Sequence, residues 1–316
     1  MKPILFPPFS LPLIGEVTFP AYFTLLTIGF AMAMWITVRE SKKIGLDREH
    51  ILDANLWMVV WGIIGARVLH LIADGHFMEY VHLCTDPRQV PAVDAKVSYC
   101  TQAAECGYDY LCDAAKHACY PPRDCLAALK VWRGGLAYYG GFLFAVPYGL
   151  WFARKHKLNM WRTADLSAPA ISLGLFFGRL GCYLNGCCYG KETTSAVGVV
   201  FPRFSPTWHA QYDAGLIKIA EDAHPVHPTQ LYESFACLTI SAILYLVIRP
   251  NKRRDGEMFA WLLLLYGVAR SFIEVFRDDE RGVLFGWLST SQIISLPLMA
   301  AGAWLLWQRR RGLATA

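Results

Sequence analysis

Arginine and glutamate residues in apolar surroundings are the side chains best placed to do chemistry. Arg179 follows the apolar run 173–177, and Arg270 is followed four residues later by Glu274. A charged side chain at membrane depth is costly and normally has a polar partner or a task. Because a guanidinium group matches phosphate oxygens in a bidentate way, these residues indicate a site for a phosphate-bearing ligand.

The backbone after Arg179 is loosened by glycines. Asn185, Gly186 and Gly190 stand in a stretch that breaks a helix and lets the backbone approach a ligand closely. A helix end, a buried cation and an open backbone together indicate a site for an anionic head group.

The elements that must position these residues are membrane helices. The chain has 316 residues, of which 55% are hydrophobic and 17% charged, and its mean hydropathy is +0.30. This composition is typical of a polytopic membrane protein, and we expect no nucleic-acid partner. The N-terminal residues are interrupted by prolines and do not resemble a cleaved signal peptide.

Seven stretches are apolar over the roughly 20 residues that a spanning helix needs. The predicted spans are 19–38, 51–72, 134–153, 165–184, 231–249, 257–276 and 287–307. We therefore predict an all-α polytopic fold in which residues 1–316 form a single seven-helix membrane domain.

Basic residues set the predicted orientation. They cluster after spans one, three, five and seven: Arg39, Lys42, Lys43 and Arg48; Arg154, Lys155 and Lys157; Arg249, Lys252, Arg253 and Arg254; and Arg309, Arg310 and Arg311. With seven spans, all four clusters lie on one side, and the positive-inside rule makes that side cytoplasmic. The N-terminus is then outside and the C-terminus inside.

This orientation makes two long segments extracytoplasmic, residues 73–131 and residues 185–230. The first contains six cysteines: Cys84, Cys100, Cys106, Cys112, Cys119 and Cys125. A zinc module and a disulfide framework both fit such a segment. It has no Cys-x-x-Cys pair and lies in an oxidising compartment, so we predict three disulfides in a capping insertion, with unknown connectivity.

Four other cysteines occur elsewhere: Cys182, Cys187, Cys188 and Cys237. Three interpretations of these cysteines are open: they form a metal site, they form a redox pair, or they simply pack as small residues. Cysteine behaves by default as a small buried hydrophobic residue, so we expect packing and no metal site.

The predicted topology places several polar residues, which are costly to bury in a membrane, together in its outer half. They are Arg67, His70, Tyr138, Tyr139, Arg179, His227, Glu233, Arg270 and Glu274. Structural roles are also open for some of them. Arg67 fits snorkelling to the interface, His227 and Glu233 fit stabilising a helix start, and Arg270 with Glu274 fits a simple intrahelical pair.

At these residues the sequence resembles the bacterial prolipoprotein diacylglyceryl transferase family. The resemblance covers most of the chain apart from the cysteine-rich insertion. The matching segments are Tyr22 with Gly29-Phe30, Gly65-Ala-Arg67, residues 132–141, Gly178-Arg-Leu-Gly181 through Asn185, Gly186 and Gly190, residues 227–233, and Arg270 through Glu274.

The resemblance implies the first step of lipoprotein maturation. A diacylglyceryl group passes from phosphatidylglycerol to the cysteine thiol of a lipobox in a prolipoprotein signal peptide. A thioether forms and glycerol phosphate leaves. The implied location is the bacterial inner membrane, with membrane lipids as neighbours and the active site facing the periplasm. No cofactor is implied.

The resemblance also implies residue roles. The catalytic set is Arg179, Arg270, Glu274, Tyr139 and His227. The set that binds phosphatidylglycerol is Arg179, Arg67, Tyr22, Asn185, Gly186, Gly190, Gln230 and Glu233.

The chain departs from some members of the family at three positions. Tyr139 stands where some have histidine, Cys182 where some have asparagine, and Cys187 where some have an acidic residue. The identity of the base that activates the thiol is therefore open: it is Glu274, Tyr139 or His227. Alternatively, the positive potential of the arginines is enough to favour the thiolate. Two other functions remain alternatives: a non-catalytic phospholipid-binding or transport protein, and a membrane thiol–disulfide enzyme.

Overall fold

The computed structural model describes most of the chain. The described residues are 4–11, 15–73, 75–90, 111–113, 115, 118–130, 135–218, 220–278, 283–284 and 288–314. Cys100, Cys106 and the start of the segment 132–141 lie outside them. The chain divides into two compact units, Met1–Leu52 with Lys157–Ala316, and Asp53–His156.

The first unit is built mainly from long helices. They are α1 (Ala21–Ser41), the start of α2 (Arg48–Ala73), α5 (Met160–Asn185), α7 (Thr229–Ala242), α9 (Glu257–Glu274) and α10 (Thr290–Ala314). Helix α7 continues through a π-helical segment, Ile243–Ile248, into the short α8 (Arg249–Asn251), and α6 (Pro206–Asp213) lies between α5 and α7. Two antiparallel strand pairs complete the unit, β1 (Ile4–Leu11) with β2 (Gly15–Pro20), and β5 (Val283–Leu284) with β6 (Leu288–Ser289).

The second unit contains most of α2, then α3 (Phe77–Thr85) and α4 (Tyr138–Lys155). Between α3 and α4 lies a short antiparallel pair of strands, β3 (Leu111–Asp113) and β4 (Ala118–Tyr120). Gly65 of α2 and Gly140 of α4 approach each other so closely that a methyl group on either would overlap the other's carbonyl oxygen. Small residues thus bring these two helices together, as is common in membranes.

The long helices coincide with the seven predicted spans. Three stretches of the described chain are long and apolar enough to cross a membrane, Ala21–Ile44, Arg48–Ile72 and Thr229–Asn251. The chain is thus mostly helical, as expected of a membrane protein. The number of crossings and their orientation stay predictions, and the short strand pairs were not predicted.

Helix α5 is the centre of the first unit and contacts α1, α7 and α9. Serine hydroxyl groups join it to α7: Ser172 Oγ donates to the carbonyl of Cys237 at 2.7 Å, and Ser234 Oγ to that of Phe176 at 3.0 Å. On the α1 side, Gly181 lies against Tyr22. Helix α5 is therefore fixed on both sides, which holds Arg179 in place.

Asp165 of α5 fixes the start of α9. Its buried carboxylate accepts hydrogen bonds from the backbone N–H groups of Gly256 at 2.7 Å and Phe259 at 3.0 Å, and it pairs with Lys252 at 3.0 Å. A carboxylate at a helix start satisfies N–H groups that have no partner within the helix. This contact sets the position of α9 along α5.

The cysteine-rich segment is partly described. Cys84 and Cys125 form a disulfide, and Cys112 and Cys119 are also disulfide-bonded. Four of the six cysteines are therefore oxidised. The predicted set of three disulfides in a capping insertion stays a prediction. Cys182, Cys187, Cys188 and Cys237 carry thiols.

Candidate active site

The end of α5 has a well-defined geometry. Gly186 adopts φ +75°, and its N–H donates to the carbonyl of Tyr183 at 3.2 Å, while the N–H of Cys187 donates to that of Cys182 at 3.2 Å. This pair of bonds is a Schellman motif, which needs a residue in the left-handed region and so favours glycine. Helix α5 therefore stops less than two turns after Arg179.

Glu233 is the centre of the candidate site. Only 1% of its side chain is exposed. Its Oε1 lies 3.1 Å from Nη2 of Arg179 and accepts a hydrogen bond from the Tyr266 hydroxyl at 3.1 Å. Its Oε2 lies 3.4 Å from Nη1 of Arg270 and 3.7 Å from Nη1 of Arg277. One buried carboxylate thus gathers three guanidinium groups from two segments of the chain.

Arg270 has two further polar contacts. Its Nη2 lies 2.9 Å from Oε2 of Glu274 and donates to the Ser291 hydroxyl at 2.8 Å. The intrahelical pair with Glu274 is therefore present, but it is one part of a larger network. Through Ser291, α10 also helps to position the site.

Electrostatics favour an anion at this network. Counted as ions, the three arginines carry three positive charges, and Glu233 with Glu274 carries two negative charges. One positive charge remains in excess in a largely buried environment, where charge interactions are stronger than in water. A phosphate monoanion would balance this charge.

The segment before α7 is tied to the loop after α5. The N–H of Gly190 donates to the carbonyl of His227, and the N–H of His227 donates to that of Lys191, each at 2.9 Å. A Cβ on Gly190 would lie 2.7 Å from the Thr229 methyl group and nearer still to the Phe276 carbonyl oxygen, so only glycine fits. Gly190 therefore allows three chain segments to meet.

Gln230 reinforces this junction. Its Nε2 donates to the carbonyl of Cys187 at 2.8 Å, while its buried Oε1 has no hydrogen-bond partner within the described part of the chain. A buried carbonyl oxygen without a donor is costly, so Oε1 is suited to accept a hydrogen bond from a bound molecule.

His227 lies in an apolar groove. Its Nδ1 is 3.1 Å from the Tyr232 hydroxyl, and its ring contacts that of Phe276 edge-on at 5.2 Å between centroids. The groove has a volume of about 440 Å³. Its lining is His227, Tyr232, Phe276, Val197, Ala236, Ala269, Phe272 and Ile273.

Two predicted site residues belong to the second unit. The guanidinium group of Arg67 donates to three backbone carbonyls, those of Ala127 at 2.6 Å, Ala128 at 2.7 Å and Gly135 at 2.9 Å. Arg67 thus holds the chain before α4 in place, which is a structural role. Tyr139 is 56% exposed near the start of α4. A role for either residue in phosphatidylglycerol binding or catalysis stays a prediction.

The structure therefore brings together Arg179, Glu233, Arg270 and Glu274 from the predicted set. Tyr22 packs against Gly181 in the next turn after Arg179, and the exposed Asn185 ends α5. Sequence reasoning missed Tyr266, Arg277 and Ser291. The sequence does contain a signal for the first two. Polar residues recur at intervals of four, four and three residues, the spacing of one face of a helix, at Tyr266, Arg270, Glu274 and Arg277.

Comparison with known proteins shows the family to which the chain belongs. Residues 8–308 match the family model described as prolipoprotein diacylglyceryl transferase. Similar proteins named phosphatidylglycerol–prolipoprotein diacylglyceryl transferase occur in Nitratidesulfovibrio vulgaris strain Hildenborough (36% identity, covering 93% of this chain and 91% of the relative) and Stenotrophomonas maltophilia strain R551-3 (38% identity, covering 59% and 65%). A protein of the same name in Xylella fastidiosa strain 9a5c is 36% identical over 58% of this chain and 65% of its own length. The chain belongs to the prolipoprotein diacylglyceryl transferase family.

Proposed function

We propose that this protein transfers the diacylglyceryl group of phosphatidylglycerol to the lipobox cysteine of a prolipoprotein signal peptide. The observation that carries this proposal is the cluster of Arg179, Arg270 and Arg277 around the buried carboxylate of Glu233. Family membership and the names of the relatives support the same reaction.

The arginines act on the leaving group. The peptide thiolate attacks the glyceryl carbon that is esterified to phosphate, so that a C–S bond forms as the C–O bond breaks. The electron pair of that C–O bond goes to the phosphate oxygen, and glycerol phosphate leaves with additional negative charge. Guanidinium groups fixed in advance stabilise this charge as it develops.

The thiol proton must go to a base before or during attack, because the thiolate is the nucleophile. His227, Glu274 and Tyr139 are the candidates. Glu274 is already paired with Arg270, whereas the His227 ring lines an apolar groove. The groove walls suit the apolar part of a lipid or signal peptide, and His227 lines that groove.

Gln230 contributes to lipid binding in this scheme. The head group of phosphatidylglycerol ends in a glycerol with free hydroxyl groups, and the unpartnered Oε1 of Gln230 accepts a hydrogen bond from one of them. Asn185 and Gly186 line the loop beside it, and Tyr22 supports the turn of α5 that follows Arg179.

The reaction takes place at the periplasmic side of the bacterial inner membrane. The chain crosses the membrane seven times with its N-terminus outside, and residues 73–131 form a disulfide-stapled insertion on that side. The basic clusters after alternate spans and the oxidised cysteines support this arrangement.

The test is a transfer assay with purified protein in phosphatidylglycerol-containing micelles and a lipobox peptide. The peptide mass should rise by one diacylglyceryl group, and glycerol phosphate should appear in equal amount. A peptide with serine in place of the lipobox cysteine is the matched control and should remain unmodified. Binding of phosphatidylglycerol without any transfer would contradict the proposal and favour a non-catalytic lipid-binding protein.

A further inference from the structure

Three thiols form a cluster at the end of α5. The Sγ atoms of Cys182, Cys187 and Cys188 all lie within 4.8 Å of one another. The thiols take no part in the ion pairs of Glu233, and the transfer mechanism does not use them. Cys237, the other thiol in the described chain, lies on α7 outside the cluster.

The backbone brings these thiols together. In a Schellman motif the residue four before the left-handed position contacts the residue just after it. Around Gly186 those two residues are Cys182 and Cys187, and this contact is usually made by apolar side chains. Here two cysteines occupy both positions.

Cys188 joins them through an uncommon conformation. Its φ is +64°, which is unusual for a residue other than glycine and persists only where the surroundings impose it. The carbonyl of Cys188 accepts a hydrogen bond from the Thr229 hydroxyl at 3.0 Å, and that of Cys187 accepts one from Gln230 at 2.8 Å. Contacts with α7 thus hold the third thiol beside the first two.

We propose that Cys182, Cys187 and Cys188 together bind one thiophilic d¹⁰ cation, Zn²⁺ or Cu⁺. Metal–sulfur bonds of about 2.3 Å in tetrahedral geometry place sulfur atoms about 3.8 Å apart, a spacing that small side-chain rotations reach from the observed one. Each thiol releases its proton to solvent as its sulfur binds the ion. A water molecule or another ligand completes a zinc coordination shell.

The charges around the cluster suit such an ion. Arg179 and Arg277 both act electrostatically on Cys188. Three thiolates with Zn²⁺ carry one net negative charge, and three thiolates with Cu⁺ carry two. The positive charge of the two guanidinium groups stabilises either complex. The ion joins the last turn of α5, and with it Arg179, to the loop that precedes His227.

The experiment measures metal content directly. Metal-free protein, isolated with the disulfides of its cysteine-rich segment intact, is loaded with Zn²⁺ in one arm and with Cu⁺ in the other. It is then desalted and analysed by mass spectrometry for metal per chain. We expect one ion per chain in the wild type and in the control C237S. The variants C182S, C187S and C188S should each fall to background, and the arm with the tighter retention identifies the ion.

A second measurement needs no variant. In the wild type, the bound ion should protect Cys187 and Cys188 from alkylation by a maleimide, and a chelator should restore their reactivity. Metal content of the wild type no higher than that of C182S/C187S/C188S would overturn the proposal. So would a disulfide between any two of these cysteines in the isolated protein, which would indicate a redox pair. Neither readout depends on diacylglyceryl transfer, so both are independent of the proposed function.

Discussion

At the scale of single residues, Glu233 explains how three arginines remain close together within a membrane protein. Guanidinium groups at such short separations repel one another strongly where water is scarce. The buried carboxylate between Arg179, Arg270 and Arg277 offsets this repulsion and fixes the direction of each group. We infer that Glu233 is a positioning residue for the arginines and that the lipid phosphate is the second anion of the site.

The variant Glu233→Gln tests this role. The amide keeps the size of the side chain but removes its charge, so the arginines should move apart. We expect kcat for transfer to fall on the order of 100-fold, the size of losing one pre-positioned electrostatic contact. Kinetics in detergent micelles over a range of phosphatidylglycerol concentrations would separate kcat from KM.

The matched control is Glu192→Gln, since Glu192 forms an exposed pair with His224 at 3.0 Å. This variant should keep wild-type rates. Equal rates for both variants would show that the charge of Glu233 does not position the arginines.

The sequence predicted part of this site because charged residues in apolar segments are rare. Arg179, Arg270 and Glu274 were recognised from this signal. Arg277 was missed because it lies just beyond the predicted span 257–276, and Ser291 because a lone hydroxyl in an apolar stretch carries no pattern. Arg67 has the same signal as Arg179, yet its donors contact backbone carbonyls. Residue type alone does not show which polar groups an arginine contacts.

At the scale of helices, hydropathy located the elements but not their ends. Helix α5 begins at Met160, before the predicted span 165–184, because the Asn159 side chain accepts hydrogen bonds from the N–H groups of Trp161 and Arg162, both at 3.1 Å. Helix α4 begins only at Tyr138, after Gly135 with its φ of +71°. Caps and glycine conformations set these boundaries, whereas hydropathy reports only how apolar the segment is.

The junction of α5 and α9 gives a prediction at this scale. Asp165→Ala removes the acceptor for two N–H groups at the start of α9 and the buried partner of Lys252. We expect a loss of about 1–3 kcal/mol in the free energy of unfolding, because buried donors lose a charged acceptor. Thermal unfolding in detergent would measure it.

Asp213→Ala is the control, because Asp213 is exposed at the end of α6. Its unfolding temperature should remain that of the wild type. An Asp165→Ala protein as stable as this control would show that the capping contact contributes nothing to the packing of α9.

At the scale of the whole molecule, the motifs predicted the family, and the match over residues 8–308 confirms it. The order of the motifs along the chain is a strong signal of family membership, because several independent segments must all match the family in the same order. The cysteine-rich segment contains none of the family motifs. Its disulfide pairing was not predictable because six cysteines allow 15 connectivities. The disulfide between Cys84 and Cys125 joins the end of α3 to the segment that precedes α4.

The predicted orientation is testable with single introduced cysteines. Lys218→Cys lies in the loop predicted to be periplasmic, and Lys43→Cys lies in the basic segment predicted to be cytoplasmic. In intact spheroplasts, a membrane-impermeant maleimide should label the first above the wild-type background and the second only after lysis. The reverse pattern would invert the topology and place the proposed reaction on the wrong side of the membrane.

The measurement that tests the central claim most directly is the single-turnover rate of Arg179→Ala at saturating phosphatidylglycerol. Arg203→Ala is the control, because Arg203 pairs with Asp222 at an exposed site at 2.8 Å. If Arg179 stabilises the departing phosphate, its variant should be slower by about 10²–10³-fold, while Arg203→Ala keeps the wild-type rate. An Arg179→Ala rate equal to that of the control would contradict the account.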